Sequence, residues 1–195
     1  MILISVMSAV ATLIAAVAAI ASWSAAHTAN GIAESLANLE EQRRHAELTP
    51  KFAVSIDAYG DASLRMWVQL IGPPGLDQLD DLVFTIRDNI RDIPADQTGA
   101  ATAENIENQI WGPYRLAQDI DGVTANGRTA RAQSLLLGDA CAFILDETQP
   151  PSWWNAGGAA WTSEYKYLPI RLSLLCRRIG YEPWTVPVQH PDYSN

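Results

Sequence analysis

LRMWVQL, residues 64–70, alternates without a break: Leu64, Met66, Val68 and Leu70 fall on one side, Arg65, Trp67 and Gln69 on the other. A chain with a side-chain period of two sends these sets to opposite faces of a strand, one toward a core and one toward water. The pattern recurs in both directions. Phe52, Val54 and Ile56 alternate with Ser55 and Asp57 upstream, and Leu82, Phe84 and Ile86 make a third run downstream. SLLL (134–137), ACAFIL (140–145), RLSLLC (171–176) and EPWTVPV (182–188) supply four more. The links YGDA, GPPG, NGR, LGDA and IGYE carry turn chemistry. About seven short strands with few helices predict that residues 51–195 are mainly β, an antiparallel β-sandwich of immunoglobulin-like or similar type. TAENIENQI (102–110) is the exception: Thr102 suits an N-cap, and Ile106 and Ile110 share a helical face.

Residues 1–33 contain no Asp, Glu, Lys or Arg, whereas the rest of the chain has the composition of a water-soluble protein. Ile2 to Trp23 is dominated by Ile, Leu, Val, Met and Ala. As a helix it would be about 33 Å long, matching a hydrocarbon core of about 30 Å. Residues 1–23 are therefore expected to be a transmembrane helix contacting the bilayer through residues 2–23, with Trp23 at the interface. A cleaved signal peptide, which wants a basic start and a shorter apolar core, is the main alternative. Arg43, Arg44 and Lys51 all follow the span, so the positive-inside bias places the C-terminal domain in the cytoplasm of a single-pass cell-membrane protein.

Between span and domain, residues 24–50 read as a helical stalk. Ala25, Ala29, Ile32, Leu36, Leu39, Arg43 and Ala46 recur at alternating spacings of four and three, a heptad seam. Gly31, the alanines and Arg43 weaken it, leaving two readings: a lone solvated helix, or a homo-oligomer joined through the stalk. Thr49-Pro50 ends the helix.

A net charge of −9 excludes a nucleic-acid partner, since no cationic surplus exists to displace counterions from phosphates. His27 falls beside the expected span, His45 in the stalk and His190 in the tail, none with a Ser, Cys or Asp partner at a recognisable spacing, and no phosphate loop, dinucleotide fingerprint, HExxH or GxSxG occurs. No enzymatic activity, cofactor or metal is therefore expected. Asp77, Asp80 and Asp81 in one inter-strand loop, Asp88, Asp92 and Asp96 after the third strand, and Asp119 and Asp121 in a turn read as solvated loop acids. The spacing of a calcium loop fails because its twelfth position is Ala130. Cys141 and Cys176 share strand parity with core residues, as buried thiols or as a disulfide.

Two aromatic stretches are the candidate binding residues. IWGPYR (110–115) combines Trp111, Tyr114 and Arg115 around a Gly-Pro pair; it reads as a structural corner, with partner recognition as the alternative. PPSWWNAGGAAWTSEYKYLP (150–169) holds Trp153, Trp154 and Trp161 in a segment too rich in Gly and Pro to be regular. These rings either pin a long loop to the core or stack on a ligand.

QRRHAELTP (42–50), LIGPPGLDQLDDLVFTIRDN (70–89), IWGPYR and YEPWTVPV (181–188) resemble a group of uncharacterised actinobacterial single-pass proteins having an N-terminal membrane helix, a short stalk and a β-rich domain with a WGPYR-like block. The resemblance implies membrane attachment and a bacterial setting, and no activity. The expected function is a membrane-anchored, non-catalytic β-sandwich that makes protein contacts at the membrane surface. The alternative is an extracytoplasmic binder of envelope glycans through the Trp-rich loop.

Overall fold

A computed structural model describes the backbone of residues 2–60, 63–89, 101–118 and 122–190, and in the first helix the side chains of residues 22–23 and 26–47. The chain divides into two compact units, Met1–Glu47 and Leu48–Asn195. The first is one helix, α1 (Ile2–Glu47). In its C-terminal half Ile32, Leu36 and Leu39 are 57, 61 and 62 % exposed. Arg43 pairs with Glu47 one turn on, at 2.9 Å. The expected span, residues 2–23, falls outside the described side chains except at Ser22 and Trp23. Among the described residues no helix is long and apolar enough to cross a membrane. The helix ends three residues before Pro50. Leu48 packs against the core of the second unit and Pro50 is buried there, so the boundary falls at 47/48 rather than 50/51.

The second unit is mainly β. Its elements are β1 (Lys51–Tyr59), β2 (Ser63–Gly72), β3 (Gln78–Arg87), α2 (Ala103–Asn108), β4 (Tyr114–Leu116), β5 (Thr129–Leu136), β6 (Ala140–Glu147), α3 (Gly157–Tyr165), β7 (Ile170–Arg177) and β8 (Trp184–His190). They form two four-stranded antiparallel sheets. Sheet A runs β1-β2-β6-β4 and sheet B runs β5-β3-β7-β8.

The opening stretch behaves as its alternation requires. Met66, Val68 and Leu70 are fully buried, while Gln69 is exposed and Arg65 and Trp67 are half-buried on the outer face. From sheet B, Leu82, Phe84 and Ile86 meet them, and the Phe84 and Phe143 rings touch across the sandwich at 4.4 Å between centroids. Each such side chain taken out of water contributes about 1.5–3 kcal/mol, which makes this inter-sheet layer the main source of stability.

Three expectations change. There are eight strands rather than about seven, because Tyr114 and Arg115 belong to the short strand β4 on the edge of sheet A. The Trp-rich segment is not all irregular, since Gly157–Tyr165 forms α3. Asp80 and Asp81 lie within β3, not in a loop. Burial in β3 skips from Leu79 to Leu82, and the two acids between serve as ties. The Asp80 carboxylate accepts the Ile179 backbone N–H at 2.7 Å, closing the β7–β8 turn. Asp81 accepts from Arg131 of β5 and Arg177 of β7, linking three strands.

Candidate functional site

The corner IWGPYR is built from the end of β3 outward. Asp88 accepts the Trp111 backbone N–H at 2.9 Å, and the Asn89 N–H donates to the Trp111 carbonyl at 2.8 Å. Arg128 joins the same knot: it pairs with Asp88 at 3.0 Å and donates to the carbonyls of Glu107 and Gln109. Those carbonyls close α2, whose start is capped by the expected N-cap Thr102, which forms a capping box with Asn105. A cation at a helix C-terminus satisfies carbonyls that have no partner within the helix.

Beyond Trp111 the Gly-Pro pair is held by Thr148, at the end of β6. The Thr148 hydroxyl donates to the Gly112 carbonyl at 2.5 Å and its N–H to the Pro113 carbonyl at 3.0 Å. Its own carbonyl accepts the Trp161 indole N–H at 3.2 Å. Gly112 leaves room for Asn89, whose amide nitrogen would stand 3.2 Å from an added Cβ. At Gly127 φ is +69° and a Cβ would come within 2.5 Å of the Leu116 carbonyl oxygen, so only glycine lets this loop lie against β4.

Trp111, Trp154, Trp161 and Tyr165 form a second buried cluster, separate from the sandwich core. Trp111 and Trp161 share its middle: Trp111 lies within 6.0 Å of Trp153, Trp154, Trp161 and Tyr165, and Trp161 has ring centroids 5.3 Å from Trp154 and 4.3 Å from Tyr165. Burial, with Glu164 nearby, pushes the Tyr165 phenol above its usual range. The sequence candidates are therefore only partly united. Trp111, Trp154 and Trp161 come together with half-buried Trp153 at their margin; Tyr114 packs on the main core; Arg115 lies on the outer face of sheet A. Arg115 stands opposite Asp146 in the register, and among the described residues its buried Nε has no hydrogen-bond partner. The Trp154 indole nitrogen is likewise buried without a partner among the described residues. These rings pack on one another, tilted by 38–57° or, for Trp154 on Trp161, edge to face at 87°.

Sequence reasoning missed a more exposed aromatic group on the outer face of sheet A. The β1–β2 register sets Asp57 opposite Arg65 and Tyr59 opposite Ser63. The Arg65 guanidinium lies 5.5 Å from the Tyr59 ring centroid and 5.1 Å from that of Trp67, and it grips Asp57 with contacts of 3.3 and 2.8 Å. That guanidinium holds the Asp57 carboxyl below the usual carboxylate range, with the Trp67 indole adding to the effect. Tyr59 is 48 % exposed.

The remaining candidates separate. Cys141 lies in sheet A and Cys176 in sheet B, both as free thiols, and burial pushes them up to about 11 and about 12. Among the described residues no group of three or more His, Cys, Asp or Glu could hold a metal. Asp92, Asp96, Asp119 and Asp121 lie outside the described residues. No protein-family model matches this chain, and neither a curated protein nor a solved structure is measurably similar to it.

Proposed function

We propose that this chain is a single-pass membrane protein whose β-sandwich makes protein contacts at the cytoplasmic face without catalysing a reaction. The observation that carries the contact reading is the Tyr59–Arg65–Trp67–Asp57 group. Tyr, Trp and Arg are the residues most enriched at the centres of protein interfaces. Arg65 is already held in place by two rings and a carboxylate, so little side-chain freedom would be lost on binding. The Trp-rich segment presents half-buried Trp153 and exposed Tyr167, while Trp154 and Trp161 are buried, which gives the glycan alternative less to stack on.

The membrane part of the reading rests on the uncharged run from Ile2 to Trp23 and agrees with the resemblance to bacterial single-pass proteins. The exposed Ile32, Leu36 and Leu39 stripe supports self-association through the stalk. Within the sandwich class, the immunoglobulin-like reading rests on strand order. β1, β2 and β6 adjoin in one sheet and β3, β7 and β8 in the other, as strands A, B, E and C, F, G do in that fold. β4 and β5 take the remaining edges in the reverse chain order.

Two measurements test the proposal. A fluorescent protein fused after Asn195 should glow and a periplasm-dependent phosphatase there should be silent; an active phosphatase removes the cytoplasmic assignment. A photo-crosslinking phenylalanine analogue at Tyr59 should give a discrete adduct in cells that Arg65→Glu and Trp67→Ala abolish. Equal adducts from exposed Lys166, which follows α3 and belongs to neither sheet, would mean that sheet A has no dedicated contact face.

A further inference from the structure

The outer face of sheet B carries two arginine pairs, and only one has its acid. Asp81 of β3 sits between Arg131 and Arg177 of the flanking strands, at 2.6 and 2.8 Å. Farther along β3 on the same face, Arg87 stands directly opposite Arg171 of β7, and Arg171 is opposite Gln189 of β8. Both arginines are exposed, and among the described residues neither makes an ion pair. Among the described residues the acid lining the same concavity is Asp88, which is engaged by Arg128 and by the Trp111 backbone. Like charges opposite each other across an antiparallel pair destabilise a sheet unless something neutralises them. The pair opens onto a concavity of about 270 Å³ that Asn89, Pro187 and Gln189 also line.

We propose that Arg87 and Arg171 are a receptor for a carboxylate side chain of an acidic peptide, which would stand between them as Asp81 stands between Arg131 and Arg177. The inference rests on the protein-contact reading and names one chemistry for it. Guanidinium forks match carboxylate geometry, and the complete pair shows that this face accommodates it. A doubly charged phosphate fits less well, because Asp88 lines the same concavity. The net charge of −9 repels acidic peptides at long range. At physiological ionic strength that field is screened over about 8 Å, so the two guanidiniums dominate at contact.

The test uses the full-length chain in a neutral detergent and a fluorescein-labelled decapeptide of alternating Glu and Gly, with the Gln-Gly peptide as control, read by anisotropy at near-physiological salt. The Glu peptide binds and the Gln peptide does not. Arg87→Gln or Arg171→Gln weakens binding at least about tenfold, whereas Arg131→Gln leaves it unchanged. Arg171→Glu abolishes binding while raising the thermal midpoint, because it gives Arg87 an internal partner. Equal binding of the two peptides, or unchanged affinity in Arg171→Glu, overturns the proposal. Displacement by inorganic phosphate but not by acetate overturns it too, in favour of a phosphate site. A Tyr59 adduct that persists when the peptide fails to bind sinks this inference alone; peptide binding without a Tyr59 adduct sinks the sheet A surface alone.

Discussion

Replacing Thr148 with valine removes one buried hydroxyl, whose shorter hydrogen bond is the one to Gly112. Valine keeps the shape and both backbone contacts, the N–H to Pro113 and the carbonyl that takes the Trp161 indole, and removes the hydroxyl that donates to Gly112 and also accepts the Trp161 indole N–H in a longer contact of 3.4 Å. Thr148 is 8 % exposed and Gly112 is buried, so water cannot readily replace the lost donor. Leaving a buried acceptor without its donor costs about 1–3 kcal/mol. Thr148→Ser keeps the bond and loses one methyl, about 0.8 kcal/mol. With a urea dependence of about 2 kcal/mol per molar, the valine variant should shift the midpoint down by about 0.5–1.5 M and the serine variant by less than about 0.5 M. Urea melts followed by far-UV circular dichroism give both numbers. A valine variant as stable as wild type, or more stable than the serine variant, would mean that the corner is not held by this bond.

Asp81 governs an acid limb. Its carboxyl is held below the usual range, chiefly by the Arg131 hydrogen bond with Arg177 adding to it. The stabilisation is therefore complete above the unfolded pKa of about 3.9 and is lost as pH falls through the lower folded value. Asp81→Asn should flatten the stability profile below about pH 4, and an unchanged slope there would contradict the assignment. Trp161→Ala should cost about 3–5 kcal/mol and Trp153→Ala less than half of that, since only the first ring is central and buried; equal losses would refute the anchoring arrangement. Burial keeps Cys141 and Cys176 protonated at neutral pH, so iodoacetamide should label neither quickly in the native protein and both in urea. Rapid native labelling of Cys176 would show that the sheets open there.

Alternation made the sandwich legible, because a half-buried strand of eight to ten residues prints its period in the chain, as β2 and β7 do. β4 escaped because three residues cannot establish a period. α3 was masked by its Gly-Gly start, although Trp161 and Tyr165 at i and i+4 are the helical signal that could have revealed it. The Trp cluster was legible as composition, but its centre depends on Thr148, which contacts Gly112 from 36 positions away. Arg128 and Asp88, and equally Arg65 with Tyr59 and Arg87 with Arg171, become neighbours only through strand register or long-range closure. No local spacing announces such pairs.

The clustered indoles also change how the protein handles light. Trp153, Trp154 and Trp161 all lie with ring centroids within 5.9 Å of Trp111 or of each other, close enough for an absorbed photon to hop among them before it is emitted. Ultraviolet emission from these four of the chain's seven tryptophans should be depolarised, whereas Trp23, Trp67 and Trp184 lie outside this annex. Red-edge excitation, which suppresses such hopping, should restore the anisotropy until the annex melts.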